Sequence, residues 1–262
     1  MKTIITTDRK CKPESIQLAK SVSVRLGISL VERQKLSIDE LRERYEAQAV
    51  LVVKQGELHL YTDEGELFFH PNMSHLRVKN LRLGQQDHMT EAMGLQTGMS
   101  VLDCTLGFGA DAIVASYGVG EAGRVVGLEV SPWIAAITGH GLQHFLANNY
   151  ELHAAMRRIE VVNQDYLSYL QQQPDKSFDV IYFDPMFRKP LHGSSNFNPL
   201  RGVADHRALS VEAVQEACRV ARLRVVMKEC SFSPEFNRLG FTKIMGGKWA
   251  KVHYGVIELG QV

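Results

Sequence analysis

Val101-Leu102-Asp103-Cys104-Thr105-Leu106-Gly107-Phe108-Gly109-Ala110-Asp111-Ala112-Ile113-Val114-Ala115 is the stretch whose reading decides the fold. A short apolar run leads into a turn carrying glycines at 107 and 109, and an apolar pattern at helical spacing follows. That order describes a buried strand feeding a helix. Glycine lets a ligand approach the backbone, and the N–H groups at the start of a helix point at whatever sits there, so the turn is a candidate cofactor cradle. An ordinary strand-turn-helix that binds nothing is the competing reading, because a short glycine motif alone is weak.

Downstream the same alternation repeats. Strands are predicted at Arg124 to Glu129, Arg158 to Val162 and Phe178 to Asp184, with helices at Pro132 to Ala147 and Tyr166 to Gln172. Alternating strands and helices imply right-handed βαβ units, a parallel sheet with helices on both faces, and ligands bound at the C-terminal strand ends. Asp103, Glu129, Asp165 and Asp184 each fall at or just past such an end. One acid there is easily a turn residue or a helix cap; four at successive strand ends point to a site. About twenty residues rich in Pro, Gly, Ser and Asn then interrupt the pattern, a length that marks a functional or disordered loop. Ser210 opens a helix through Val220, Arg224 to Lys228 forms a strand, and Phe241 to Met245 with Val252 to Leu259 make a closing antiparallel hairpin.

Upstream, residues 1–72 are expected to form a small α/β lobe. Lys2 to Thr6 is a strand, Pro13 to Gly27 a helix, Ser37 and Glu40 a capping box, and Ala49 to Phe69 an antiparallel meander with glycine turns. Residues 73–98 are expected to be a linker with a leading helix from Asp87 to Leu95, and 99–262 the main domain. The linker holds Arg77-Val78-Lys79-Asn80-Leu81-Arg82, three cations and no acid, which suits a solvated connector or a substrate surface.

Composition agrees with an ordinary globular chain: 262 residues, 45% hydrophobic, 23% charged, net charge +1. Nothing resembles a signal peptide or a membrane span, so a cytoplasmic protein is expected. Cys11, Cys104, Cys218 and Cys230 form no C-x-x-C pair, and their scatter suits packed thiols rather than a metal site. Near-neutral charge leaves a nucleic-acid partner open, provided the basic residues are local.

Two cofactors compete for the glycine turn. Gly107 to Ala112 satisfies G-x-G-x-x-G/A, and Glu129 stands where an acid would meet the ribose of a dinucleotide. S-adenosylmethionine is favoured by three features. Asp103 before the glycines suits an amino group and opposes a pyrophosphate; Asp111 occupies the helix start that a pyrophosphate needs free of negative charge; and Asp184-Pro185-Met186-Phe187 closes the fourth strand.

With these residues the chain resembles a class I S-adenosylmethionine-dependent methyltransferase. More narrowly, Asp-x-Thr-x-Gly-x-Gly-x-Asp-Ala at 103–112, Asp-Pro-Met-Phe at 184–187, the strand Arg224-Val225-Val226-Met227-Lys228 and the pair Tyr254-Gly255 resemble the small-subunit ribosomal RNA guanine-N2 methyltransferases called RsmJ. That family tends to carry Arg where this chain has Ala110 and Val130. The resemblance covers roughly residues 70 to 259 and implies a Rossmann-like, mostly parallel seven-stranded sheet with an antiparallel C-terminal hairpin. It also implies cofactor contacts at Ala110, Asp111, Glu129, Val130, Asp165 and Asp184, beside Asp103, Gly107 and Gly109 from the turn itself.

Chemistry assigns roles to these positions. Glu129 can accept both ribose hydroxyls and Asp165 an adenine amino group. Methyl transfer from a sulfonium needs alignment more than a strong base. Asp184 and the Pro185 carbonyl can accept the hydrogens of an exocyclic amine while Phe187 stacks on its ring. Arg77, Lys79, Arg188 and Lys189 are the candidate RNA contacts, with Arg82, Arg201 and Arg207 as further cations. The expected activity is N-methylation of an RNA base, guanine N2 in ribosomal RNA by resemblance, with ribosomal RNA or the small subunit as partner. Methylation of a protein amide or small-molecule amine is the alternative enzyme, and a cofactor-binding module without catalysis the alternative from another class.

Overall fold

The structure, a computed structural model, describes residues 1–147, 149–185 and 202–260, the side chain of Asn72 excepted. The described residues form two compact units. One contains Met1–His70, Ser131–Phe145 and 202–204, and the other Pro71–Val130, the described part of 146–185, and 205–260.

In the first unit, strands β1 (Thr3–Thr7), β2 (Ser29–Leu30), β3 (Ala49–Lys54), β4 (Glu57–Thr62) and β5 (Gly65–Phe68) form a sheet of order β2-β1-β3-β4-β5. β1 is parallel to β2 and β3, and β3-β4-β5 is the expected antiparallel meander. Pro13 starts the helix Pro13–Leu26, where its missing N–H is no loss, and Gly27 ends it at φ 63°. The helix Ile38–Tyr45 is capped reciprocally, as the spacing predicts: Glu40 N–H donates to Ser37 Oγ (3.2 Å) and Ser37 N–H to Glu40 Oε2 (2.6 Å). β2 has no apolar run to announce it, since two exposed residues carry no periodicity. The helix Pro132–His144 also belongs to this unit, though it lies far downstream in the chain. Gly141 sits so close to Phe69 that a Cβ would overlap the ring, and Phe145 meets Phe69 edge-on at 5.9 Å.

The second unit is built on β6 (Ser100–Asp103), β7 (Arg124–Leu128), β8 (Ile159–Val162), β9 (Phe178–Phe183), β10 (Ala221–Cys230), β11 (Lys243–Met245) and β12 (Val252–Glu258). Their order is β11-β12-β10-β9-β6-β7-β8. β10, β9, β6, β7 and β8 are parallel, and β12 is antiparallel to β10 and β11. This is the mostly parallel seven-stranded sheet with an antiparallel C-terminal hairpin that the sequence implied. Leu102, Val126, Ile181, Phe183, Val225 and Met227 pack with Ala213, Val214, Ala217 and Val220 of the helix Val211–Val220 into one buried cluster. Gly255 is glycine because Phe236 and Phe241 occupy the space a Cβ would need.

Two local expectations are corrected. Arg77 to Arg82, expected in a linker, is helical within Asn72–Arg82, whose buried positions Ser74 and Val78 include a polar residue and so blur the apolar period. The helix predicted to run from Pro132 to Ala147 stops at His144, and a second begins at Tyr150, where the Asn149 side chain accepts the Leu152 N–H at 3.0 Å. Among the described residues no helix is long and apolar enough to cross a membrane.

Candidate active site

Four adjacent parallel strands, β9, β6, β7 and β8, bring their C-terminal ends to one edge of the sheet. Asp103 ends β6, Asp184 and Glu129 directly follow β9 and β7, and Asp165 lies just beyond β8. The glycine turn bridges this row. Gly107 and Gly109 have φ of 52° and 74°, left-handed backbone that strains a side chain. Leu106 N–H donates to Leu128 O (2.9 Å), and Gly109 N–H to Leu106 O (2.7 Å). The Leu106 side chain fills the place a Cβ on Gly127 would take, which seats the turn on β7. Gly107 N–H donates to Glu129 Oε2 (3.1 Å), while the side of Gly107 where a Cβ would project is open. Asn163 Nδ2 donates to the carbonyls of Glu129 (2.7 Å) and Val130 (3.1 Å), fixing the segment after β7. Ala110 and Asp111 are the first residues of the helix Ala110–Val119.

Beneath the turn lies a buried ionic cluster. The Asp111 carboxylate accepts from Tyr182 Oη (2.8 Å), Lys228 Nζ (3.0 Å) and the Arg77 guanidinium. Lys228 Nζ also donates to Asp184 Oδ2 at 2.7 Å. Arg77 grips Asp87 with Nε (2.7 Å) and Nη2 (2.9 Å). Thr105 joins the two strand-end acids: its N–H donates to Asp103 Oδ1 (3.0 Å), and its Oγ1 accepts the Asp184 N–H (2.6 Å).

Burial opposes charge on Asp111, yet Lys228 and Arg77 hold its carboxyl well below the usual range. Burial likewise opposes the charge on Lys228, and Asp111 and Asp184 more than restore it. The other acids are less compensated. Burial pushes Asp184 up to about 6 against the pull of Lys228. Burial pushes Asp103 up to about 8, with Asp111 and Asp184 adding to it and the Thr105 N–H opposing. The site therefore holds more potential negative charge than its own cations neutralise, and a cationic ligand fits that excess. An acid whose folded pKa is raised binds more protons folded than unfolded, so stability falls as pH rises between the two values. Asp103→Asn, which cannot ionise, should therefore gain stability relative to wild type as pH is raised from about 4 to about 8. Urea denaturation of both proteins across that range measures it, and a constant difference would count against a neutral Asp103.

Several expected site residues take other partners. Arg77, expected beside Lys79 as an RNA-facing cation, turns its guanidinium inward to Asp87 and Asp111. Lys79 is exposed on the same helix. Asp165 caps the helix Tyr166–Gln172 through Ser168 N–H (3.0 Å) and accepts Arg207 Nη2 (2.6 Å), so both its oxygens have protein donors. Pro185 is half-buried. Met186, Phe187, Arg188, Lys189 and Arg201 lie outside the described residues. The sequence pattern does not mark Lys228 or Tyr182 as site residues. The available signal was a lysine following the apolar run Val225-Val226-Met227 inside a strand, since a lysine at such a place is buried only with a partner.

The family model SAM_MT, described as "Putative SAM-dependent methyltransferase", matches residues 30–248. The chain belongs to this family. The methyltransferase is 41% identical over 256 residues to the uncharacterized protein YpiP of Bacillus subtilis, covering 97% of this chain and 99% of that protein. It is 32% identical over 167 residues to ribosomal RNA small subunit methyltransferase J of Cellvibrio japonicus, covering 59% of this chain and 60% of that protein. The corresponding Buchnera aphidicola (Schizaphis graminum) protein is 25% identical over 216 residues, covering 78% and 83%. Among solved structures, the SAM-dependent methyltransferase NGO1261 from Neisseria gonorrhoeae superposes with a TM-score of 0.65 at 17% identity, over 97% of this chain and 95% of that one, which supports the fold. The cofactor of this methyltransferase is accordingly S-adenosylmethionine, whose positive charge matches the acid excess at the strand ends.

Proposed function

We propose that the protein methylates an exocyclic amine of an RNA base, with guanine N2 of small-subunit ribosomal RNA as the target. The observation that carries this reading is Asp184, held at the end of β9 by the Lys228 ammonium and, through its own N–H, by Thr105, directly before Pro185. A carboxylate so fixed, with the Pro185 carbonyl beside it, accepts the two hydrogens of a planar amine and turns the nitrogen lone pair away from both acceptors. Phe187 stacks on the base. The proton released as nitrogen gains its methyl passes to Asp184 or to water. Likeness to the methyltransferase J proteins supports RNA as the substrate class.

The bound cofactor supplies an electrophilic methyl on a sulfonium. Asp103, the open backbone at Gly107, the turn at Gly109, and the first N–H groups at Ala110 and Asp111 would hold its methionine end. Glu129 and Val130 would hold its ribose, Asp165 its adenine edge, and Asp184 would face the methyl. The Asp111 carboxylate points into the ionic cluster, so its contribution is through backbone and through Lys228. Lys79, Arg188 and Lys189 would meet phosphates, in a cytoplasmic setting where small subunits are available.

Tritiated methyl transfer from S-adenosylmethionine to small subunits, naked ribosomal RNA and cell protein tests the reading. Label in the RNA, recovered as N2-methylguanosine after digestion, is expected. Label in protein or small amines instead would replace it with the alternative enzyme. Cofactor binding by calorimetry with no transfer to any pool would leave a module without catalysis.

A further inference from the structure

Two neighbouring loops at the site edge of the second unit carry aromatics that the fold does not use. Phe232 is 95% exposed and Trp249 88% exposed, although burying such side chains is among the larger gains available to a chain. Phe232 also has φ 71°, a left-handed backbone that is an outlier for a bulky residue. Strain spent to hold an aromatic ring in water is the kind of feature that collects where ligands bind.

The topology fixes which edge these loops occupy. β10 is parallel to β9, so its C-terminal end lies beside Asp184, and Lys228 near that end touches the Asp184 carboxylate. Phe232 is four residues further on, at most about 13 Å along an extended chain. β12 is antiparallel to β10 and enters at Val252, opposite Cys230, so residues 246–251 arrive at the same edge. Ser231 N–H donates to Lys251 O at 3.0 Å and joins the two loops. The Phe232 ring lies 6.4 Å from that of His253, and Lys248 Nζ sits over the Trp249 ring at 5.3 Å. From Leu239 to His253 the sequence has Lys243, Lys248 and Lys251 and no acid. Lys243 is engaged by Glu258, whereas Lys248 and Lys251 are exposed.

Exposed rings interleaved with lysines suit one ligand chemistry above others: unpaired nucleotides, whose bases stack on the rings while phosphates meet the ammonium groups. We propose that loops 231–234 and 246–251 form a stacking platform for the single-stranded nucleotides flanking the methylated base. The platform rests on the RNA reading above. It gives a reason for the strain at Phe232: the ring is held out for a base.

Fluorescence anisotropy with a labelled oligouridylate, on the full chain, tests it. Phe232→Ala and Trp249→Ala should each weaken binding about tenfold, the size of one lost stack, with S-adenosylmethionine affinity by calorimetry unchanged. Trp249→Phe should keep most of the affinity. Phe232→Gly separates fold from function: it relieves the left-handed backbone and should raise the melting temperature by about 2–4 °C while weakening RNA binding as the alanine variant does. Wild-type binding that the aromatic variants retain in full would overturn the platform and leave the RNA reading standing. Failure of the wild type to bind either oligouridylate or ribosomal RNA would remove both. Equal losses on duplex RNA would also overturn the platform, because a paired base offers no free face to stack.

Discussion

Asp184→Asn lowers single-turnover methyl transfer by about a hundred- to a thousandfold, the cost of removing one preorganised polar group from a reacting centre, while S-adenosylmethionine affinity falls far less. The size follows from the geometry. An asparagine offers one acceptor oxygen, and its amide nitrogen must face either the Lys228 ammonium or the substrate amine, donor against donor. The wild-type rate should also rise with pH through about 6, where Asp184 ionises, and the asparagine variant should lose that inflection. Rapid-quench measurements across pH read both effects. An unchanged rate in the variant would take Asp184 out of the reaction and leave the cofactor site as described.

The second large effect is on stability. Lys228→Met removes the cation shared by Asp111 and Asp184. Asp111 keeps Arg77 and Tyr182, but Asp184 loses its charged partner in a poorly solvated place. Removing one member of a fully buried pair costs about 3–5 kcal/mol; Lys228 and Asp184 keep 22% and 28% of their side-chain surface exposed, so the cost falls at or below the lower end of that range, still a sizeable share of the roughly 5–15 kcal/mol that holds a typical protein folded. The sign with pH is fixed: without the pull of Lys228 the Asp184 carboxyl titrates above its wild-type value of about 6, so the deficit is smallest at pH below about 6, where the carboxyl is protonated in both proteins, and grows as pH rises above that. Chemical denaturation of wild type and variant at acid and neutral pH checks it. A deficit independent of pH would mean that the lysine acts by packing alone.

Much of the site could be seen in the chain because its chemistry is local. An acid at the end of an apolar strand, a glycine that must take positive φ and a capping residue each leave a mark within a few positions, as Asp103, Gly107 and Ser37 do. What stayed hidden depends on contacts between distant segments. Arg77 reads as an outward-facing cation for RNA because nothing near it reveals that Asp111, well downstream, is its partner. Lys228 belongs to a strand whose neighbour in the sheet is β9, and only that pairing brings it to Asp184. Asp165 was legible as a strand-end acid, but its bond to Arg207 was not. The helix Asn72–Arg82 was missed for a different reason: a serine at a buried position, Ser74, interrupts the apolar repeat by which amphipathic helices are recognised.

The helix Pro132–His144, which covers Phe69 of the first unit, sets an order on biosynthesis. A chain emerging from the ribosome tends to fold from its N-terminus domain by domain. Here the first sheet is fully made once Phe68 has appeared, yet the residues that close over Phe69 are Gly141 and Phe145. Two strands of the second sheet, β6 and β7, are synthesised in the interval. The N-terminal unit must therefore wait, with Phe69 uncovered, until the chain has made two of the five parallel strands of the second sheet. Cutting the gene after residue 70 would release a fragment stranded at that unfinished stage.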